Sequence, residues 1–251
     1  MLAERTKIKQ EIWLVIGLSY FTLGVGALID LFYDLTLPGK LSQQTAALNP
    51  SLAPGRPWFD LIYNLYDIAR PLIPVLLALH LLQRDFPNAF DRIGFNFKRA
   101  GFDVSWGLGL AAVIGIPGLG LYALGRALGV TLHLVPASLP HIWWGVPVLI
   151  LSAIQNAIGE ETIVVGYLMT RLDQLGWRTW PAIFASAVLR GSYHLYQGIG
   201  GFFGNAVMGV VFGYFYKRYG RVMPLVIAHS ILDIVSFVGY ALVGKHFKFL
   251  Q

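Results

Sequence analysis

The chain has 251 residues, of which 56% are hydrophobic and 13% charged, with no cysteine and a formal net charge of +6. A soluble domain of this length carries about 25% charged residues, and the mean hydropathy here is +0.60, so an ordinary soluble domain is excluded. The absent cysteines exclude disulfides, thiolate catalysis and cysteine-based zinc sites, and basic residues in short clusters between apolar blocks suit membrane orientation and argue against a nucleic-acid partner.

The first ten residues, MLAERTKIKQ, are basic and precede an apolar stretch. That stretch is too long for a signal peptide and is followed by Asp30 and Asp34 instead of a small-residue cleavage site, so a retained first helix is expected. Seven apolar segments follow in order: Ile12–Phe32, Phe59–Leu82, Val104–Leu128, Trp143–Met169, Trp180–Gln197, Ile199–Tyr216 and Val222–Val243. A span needs about 20 apolar residues, and the predicted fold is an all-α, polytopic transmembrane helical bundle of about seven spans.

The second segment is the weakest, because Asp67, Arg70 and Pro71 interrupt it. Asp67 and Arg70 are three apart and can pair on a helix. Residues 33–58 are rich in turn formers and read as an external loop. Residues 83–103 mix charge with Phe86, Phe90, Phe95 and Phe97, and part of this stretch is expected as an amphipathic helix on the inner leaflet, with Pro87 near its start. The expected organisation is one integral membrane domain: residues 1–103 hold the N-terminal helices, loop and amphipathic segment, and residues 104–251 a helical core.

Basic residues set the expected orientation. Arg5, Lys7 and Lys9, then Arg84, Arg92, Lys98 and Arg99, then Arg171 and Arg178, then Lys217, Arg218 and Arg221 all fall in loops on one side. The other side has Lys40, Arg56 and Arg126, with Lys245 and Lys248 in the tail. The clustered side is expected to be cytoplasmic, with the N-terminus inside and the C-terminus outside.

From Val104 onward the acidic residues are Glu160, Glu161, Asp173 and Asp233, and all but Asp173 fall inside apolar segments, as do Arg190, His194 and His229. A charged Asp, Lys or Arg at the bilayer centre costs about 2.5 kcal/mol or more, so such residues are functional candidates. Arg190 and His194 are four apart, as are His229 and Asp233, so each pair is expected on one helical face. Asn156 precedes Glu160 by four and is a candidate hydrogen-bonding neighbour. Counted from the nearest basic loop, Glu160 lies about 16 Å deep and Asp233 about 18 Å. Three helices can therefore present these groups to one pocket inside a ~30 Å slab.

Adjacent carboxylates beside imidazoles can hold unequal pKa values, one serving as general base on water, while a neutral His can donate to a developing oxyanion. Neither a G-x-S-x-G elbow nor an H-E-x-x-H motif is present.

The tracts GEETIVVGYLMTRL, LRGSYHLYQG and PLVIAHSILDIV resemble the three motifs of the CPBP family, the CAAX prenyl proteases and bacteriocin-processing or Abi-type membrane proteins. The resemblance covers roughly residues 145–240. Glu160 and Glu161 match the first motif, but Val165 stands where that motif has Arg. His194 matches the second motif, with Arg190 in its aromatic position, and His229 and Asp233 match the third. Arg190 is expected to replace the missing cation by pairing with Glu161 or Glu160.

The resemblance implies intramembrane proteolysis at a site opening to the cytoplasm, in a bacterial cell membrane. Its substrate would be a membrane-tethered or lipidated peptide or protein. Glu160 would activate water with help from His194, His229 and Asp233 would stabilise the oxyanion, and Glu161 would hold the pocket together. It favours a site without metal, although two His and a carboxylate suffice for zinc. Two other readings stand beside it: a catalytically silent immunity or scaffold protein, and a proton-coupled transporter.

Overall fold

In the computed structural model, residues 2–137 and 142–243 are described. The first span extends over Leu2–Thr36 with a kink at Ser19. It consists of α1 (Leu2–Ile16) and α2 (Thr22–Thr36), joined by a wide π-type turn over Gly17–Phe21. The weak second segment is two helices, α3 (Pro57–Ala69) and α4 (Leu72–Gln83). They part at Arg70 and Pro71, because proline has no N–H to carry a helix through. The expected Asp67–Arg70 pair forms at 3.3 Å and is exposed.

Residues 83–103 differ from expectation. Between the end of α4 and the start of the next long helix at Ala100 there is the single turn α5 (Ala89–Arg92), too short to lie on a leaflet, and Asn88 caps it by accepting from the Asp91 N–H. Asp91 also takes Asn96 and Lys98, which fold this stretch into a compact knot. Beyond it, α6 (Ala100–Leu128) crosses as one long helix. The external loop expected over residues 33–58 is partly ordered. Its strand β1 (Thr45–Ala47) pairs in parallel with β2 (His133–Val135), Thr45 facing His133.

The fourth span comprises α7 (Gly145–Glu160), a second π-type turn over Glu161–Tyr167, and α8 (Leu168–Gln174). Two thirds of its apolar window is buried, against one third or less in the other spans, so this is the central helix of the bundle. Then come α9 (Thr179–Ser192), α10 (Ile199–Tyr219) and α11 (Met223–Val243). Six helical stretches are long and apolar enough to cross a membrane among the described residues. The predicted fifth segment is the exception: α9 has 14 residues and rises only about 21 Å. A 3₁₀ turn over Leu195–Gln197 then leads straight into α10.

The basic loops gather at one end of the bundle. Arg5 donates to the Leu175 carbonyl at 2.9 Å, and Lys217 pairs with Asp173. Two basic residues counted as loop charges are in fact buried. Arg171 is fully enclosed between Glu11 at 2.8 Å and Asp85, and also donates to the Leu81 carbonyl. Arg221 grips Asp103 with Nε and Nη2 at 2.7 and 2.6 Å. At the other end Arg126 donates to the Ser42 carbonyl, beside the two-stranded sheet. Lys245 and Lys248 lie outside the described residues.

Candidate active site

Glu160 is the last residue of α7, and Glu161 begins the π-type turn. A π-turn carries one extra residue and is frequent at functional sites, because it changes the direction of the side chains beyond it. Ser186 on α9 donates to the Val164 carbonyl within this turn at 2.7 Å, fixing it to the neighbouring helix.

Arg190 on α9 is fully buried against both carboxylates. Its Nη1 donates to Glu160 Oε2 at 3.0 Å. Its Nη2 donates to Glu161 Oε1 at 2.7 Å and to Oε2 at 2.8 Å. The planar guanidinium can hold several carboxylate oxygens at once, which a lysine ammonium cannot do in a fixed geometry. The Phe212 ring lies 5.5 Å from the guanidinium carbon. The pairing expected from the sequence is therefore present with both glutamates.

His229 on α11 places Nδ1 2.7 Å from Glu161 Oε1. Its Nε2 lies 3.7 Å from Asp233 Oδ2, close in charge terms but too long for a hydrogen bond. Asn156, expected beside Glu160, donates to Asp233 at 3.4 Å instead. His194 does not continue the α9 face with Arg190 as expected. The helix stops at Ser192, and His194 sits in the following turn with Nδ1 3.0 Å from the Arg190 carbonyl. A carbonyl can only accept, so Nδ1 carries the hydrogen, and in a neutral ring Nε2 is the acceptor.

Tyr193 was not singled out by sequence, yet its hydroxyl donates to Glu160 Oε2 at 2.8 Å. Its position next to His194 in the second motif is the available signal. The two glutamates are consequently unequal. Glu161 has both oxygens occupied and is fully buried. Glu160 has two donors on Oε2 and, among the described residues, none on Oε1.

Glu160, Glu161 and His229 offer ligand atoms within 4.8 Å of one another, enough to consider a cation. Arg190 bonds to both carboxylates of that group, so the positive charge a metal would bring is already supplied, and Glu161 has no uncommitted oxygen.

Residues 142–235 match a family model described as Type II CAAX prenyl endopeptidase Rce1-like. No curated protein and no solved structure matches the chain significantly. The matched stretch holds Asn156, Glu160, Glu161, Arg190, His194, His229 and Asp233, and over residues 142–235 the chain carries an Rce1-like domain of the CPBP family.

Proposed function

We propose that the protein is a membrane-embedded endopeptidase of CAAX-protease type, cleaving a peptide bond near a lipidated or membrane-tethered tail. The supporting observation is the inequality of the two glutamates. Arg190 and Tyr193 hold Glu160 through Oε2, so Oε1 is left to take a proton. Glu161 is spent on Arg190 and His229 and serves as frame.

Glu160 Oε1 takes a proton from water as the water oxygen bonds to the scissile carbonyl carbon. The C–O π electrons move onto the carbonyl oxygen. His194 Nε2 helps to orient the water, while His229, set by Glu161 and Asp233, faces the developing oxyanion. The C–N bond then breaks, and the proton held by Glu160 passes to the amine. No metal takes part in this scheme. The prenylated class of substrate rests on the family description alone.

Glu160→Gln preserves shape but cannot accept the proton, so cleavage of a farnesylated CAAX peptide should fall by about 10²–10⁴-fold. His229→Ala should cost about 10²–10³-fold. The assay is peptide cleavage by purified protein in detergent, with and without chelator. Full activity in the Glu160→Gln protein would remove the base assignment. Chelator inhibition reversed by zinc would replace it with a metal mechanism.

A further inference from the structure

The first span breaks beside the site. Ser19 leaves the helical region at φ −123° and ψ −106°, inside the turn over Gly17–Phe21. Leu18 and Phe21 stay exposed, as lipid-facing residues should, but Tyr20 turns inward and is 8% exposed. Its ring packs on Tyr193 at 4.8 Å between centroids. A Cβ placed on Gly159 would lie 2.7 Å from the Tyr20 hydroxyl and 3.6 Å from Gln155 Nε2. The phenol and the amide thus converge on bare backbone one residue before Glu160.

Gln155 is also 8% exposed. Among the described residues neither side chain has a hydrogen-bond partner, and neither is among the sealed polar atoms, so both still reach accessible space. Unsatisfied polar groups are costly when buried, and lipid tails cannot satisfy them. Two such groups on separate helices, aimed at one spot, call for a polar ligand. The neighbouring carboxylate of Glu160 disfavours an anion there. A neutral peptide group suits both partners, since the glutamine amide offers a donor and an acceptor and the phenol a further donor. Glycine at position 159 lets the Tyr20 hydroxyl come this close to the helix, because a Cβ there would meet it at 2.7 Å.

We infer that Tyr20 and Gln155, brought together over Gly159, form a subsite that grips the peptide backbone of the substrate next to the scissile bond. This rests on the endopeptidase reading above, and it recruits a residue from the N-terminal helices, outside the matched domain.

The test uses the full-length Glu160→Gln protein in detergent and a fluorescent farnesylated CAAX peptide. Adding Tyr20→Phe or Gln155→Met should weaken binding several-fold to about tenfold, the loss of one hydrogen bond. Each change should leave the melting temperature in place. In the cleaving protein the same substitutions should raise KM by a similar factor with kcat little changed. Gly159→Ala pushes the Tyr20 hydroxyl aside and should weaken binding equally in the Tyr20 protein, but add little once Tyr20→Phe has removed that oxygen. Unchanged binding in both side-chain variants overturns the subsite, as does a loss that only follows a lower melting temperature. Cleavage surviving in Glu160→Gln overturns the base assignment while the binding comparison still reads. Absence of peptide binding by both parent proteins overturns both.

Discussion

At the scale of single residues, Arg190 decides whether two adjacent glutamates can coexist inside the bundle. It bonds to three carboxylate oxygens from full burial. Removing one partner of a buried ion pair strands the other and costs about 3–5 kcal/mol. Arg190→Ala should therefore lower thermal stability in detergent by that order and silence cleavage. Val165 follows Glu161 by four, is fully buried, and stands where the family motif has Arg. Adding Val165→Arg to the Arg190→Ala protein should recover part of both losses by pairing back toward Glu161. A double mutant that inserts normally and recovers nothing would end the idea that the cation moved between helices. Glu160, Glu161, Arg190, His229 and Asp233 were legible because charge in an apolar stretch has few inexpensive explanations. Tyr193 and Tyr20 were not, because a tyrosine in an apolar segment is ordinary core or interface material. The partner of Asn156 was misjudged because i,i+4 spacing sees only its own helix, and Asp233 reaches it from α11.

At the scale of elements, the short α9 explains how His194 reaches the site without belonging to a helix. Non-helical backbone at membrane depth is tolerated where protein buries it or where it lines a polar cavity. Here the turn is tied down: the Leu132 N–H donates to the Gln197 carbonyl at 3.1 Å, and the Gly200 N–H to the Val130 carbonyl at 3.2 Å. Gly198 closes the turn at φ +91° and ψ 177°, and an added Cβ would meet the Val130 oxygen at 2.8 Å. That region is essentially glycine-only and costs other residues about 1–3 kcal/mol. Gly198→Ala should thus lower the melting temperature and reduce cleavage together, since His194 moves with the turn. An unchanged melting curve would show that the turn adapts freely. Hydropathy outlined every span but joined α9 to this turn, because Leu195 and Tyr196 read as apolar while the turn geometry depends on Gly198. The amphipathic helix expected over 83–103 failed for a related reason. Asn88 and Asp91 consume local backbone and side-chain groups in a cap and a knot, which outcompetes a longer helix.

For the whole molecule, the segregation of charge anticipated from the loops survives, although its members change roles. Arg171 and Arg221 are buried anchors: one ties α8 to Glu11 of α1 and to Asp85, the other ties the start of α11 to Asp103 of α6. They say little about orientation, because their charges are neutralised inside the protein. Arg5, Lys7, Lys9, Arg84, Lys98, Arg99, Arg178 and Arg218 remain exposed at the same end, while among the described residues Lys40 and Arg56 are the exposed basic residues toward the other. The positive-inside bias is counted on short loops near span ends, and it still points the anchored end toward the cytoplasm. The even count of six spans, with α9 turning back before it crosses, would put both termini on that side unless α9 and its turn complete a crossing. Three of the four basic loops precede or adjoin this ambiguity, so the decisive positions are Arg92, Arg178 and Arg218. Reporter fusions at all three should report cytoplasm, whereas a re-entrant α9 would return the chain to the cytoplasmic face before α10, leaving Arg178 inside and putting Arg218 outside. The contact between Lys217 and Asp173 places the loops after α8 and after α10 at one end, which requires α9 with its turn to carry the chain across and α10 to bring it back. The expected result is therefore three cytoplasmic signals with the C-terminus outside; an external signal at Arg218 would overturn the crossing, and one at Arg178 would overturn the cytoplasmic opening of the site.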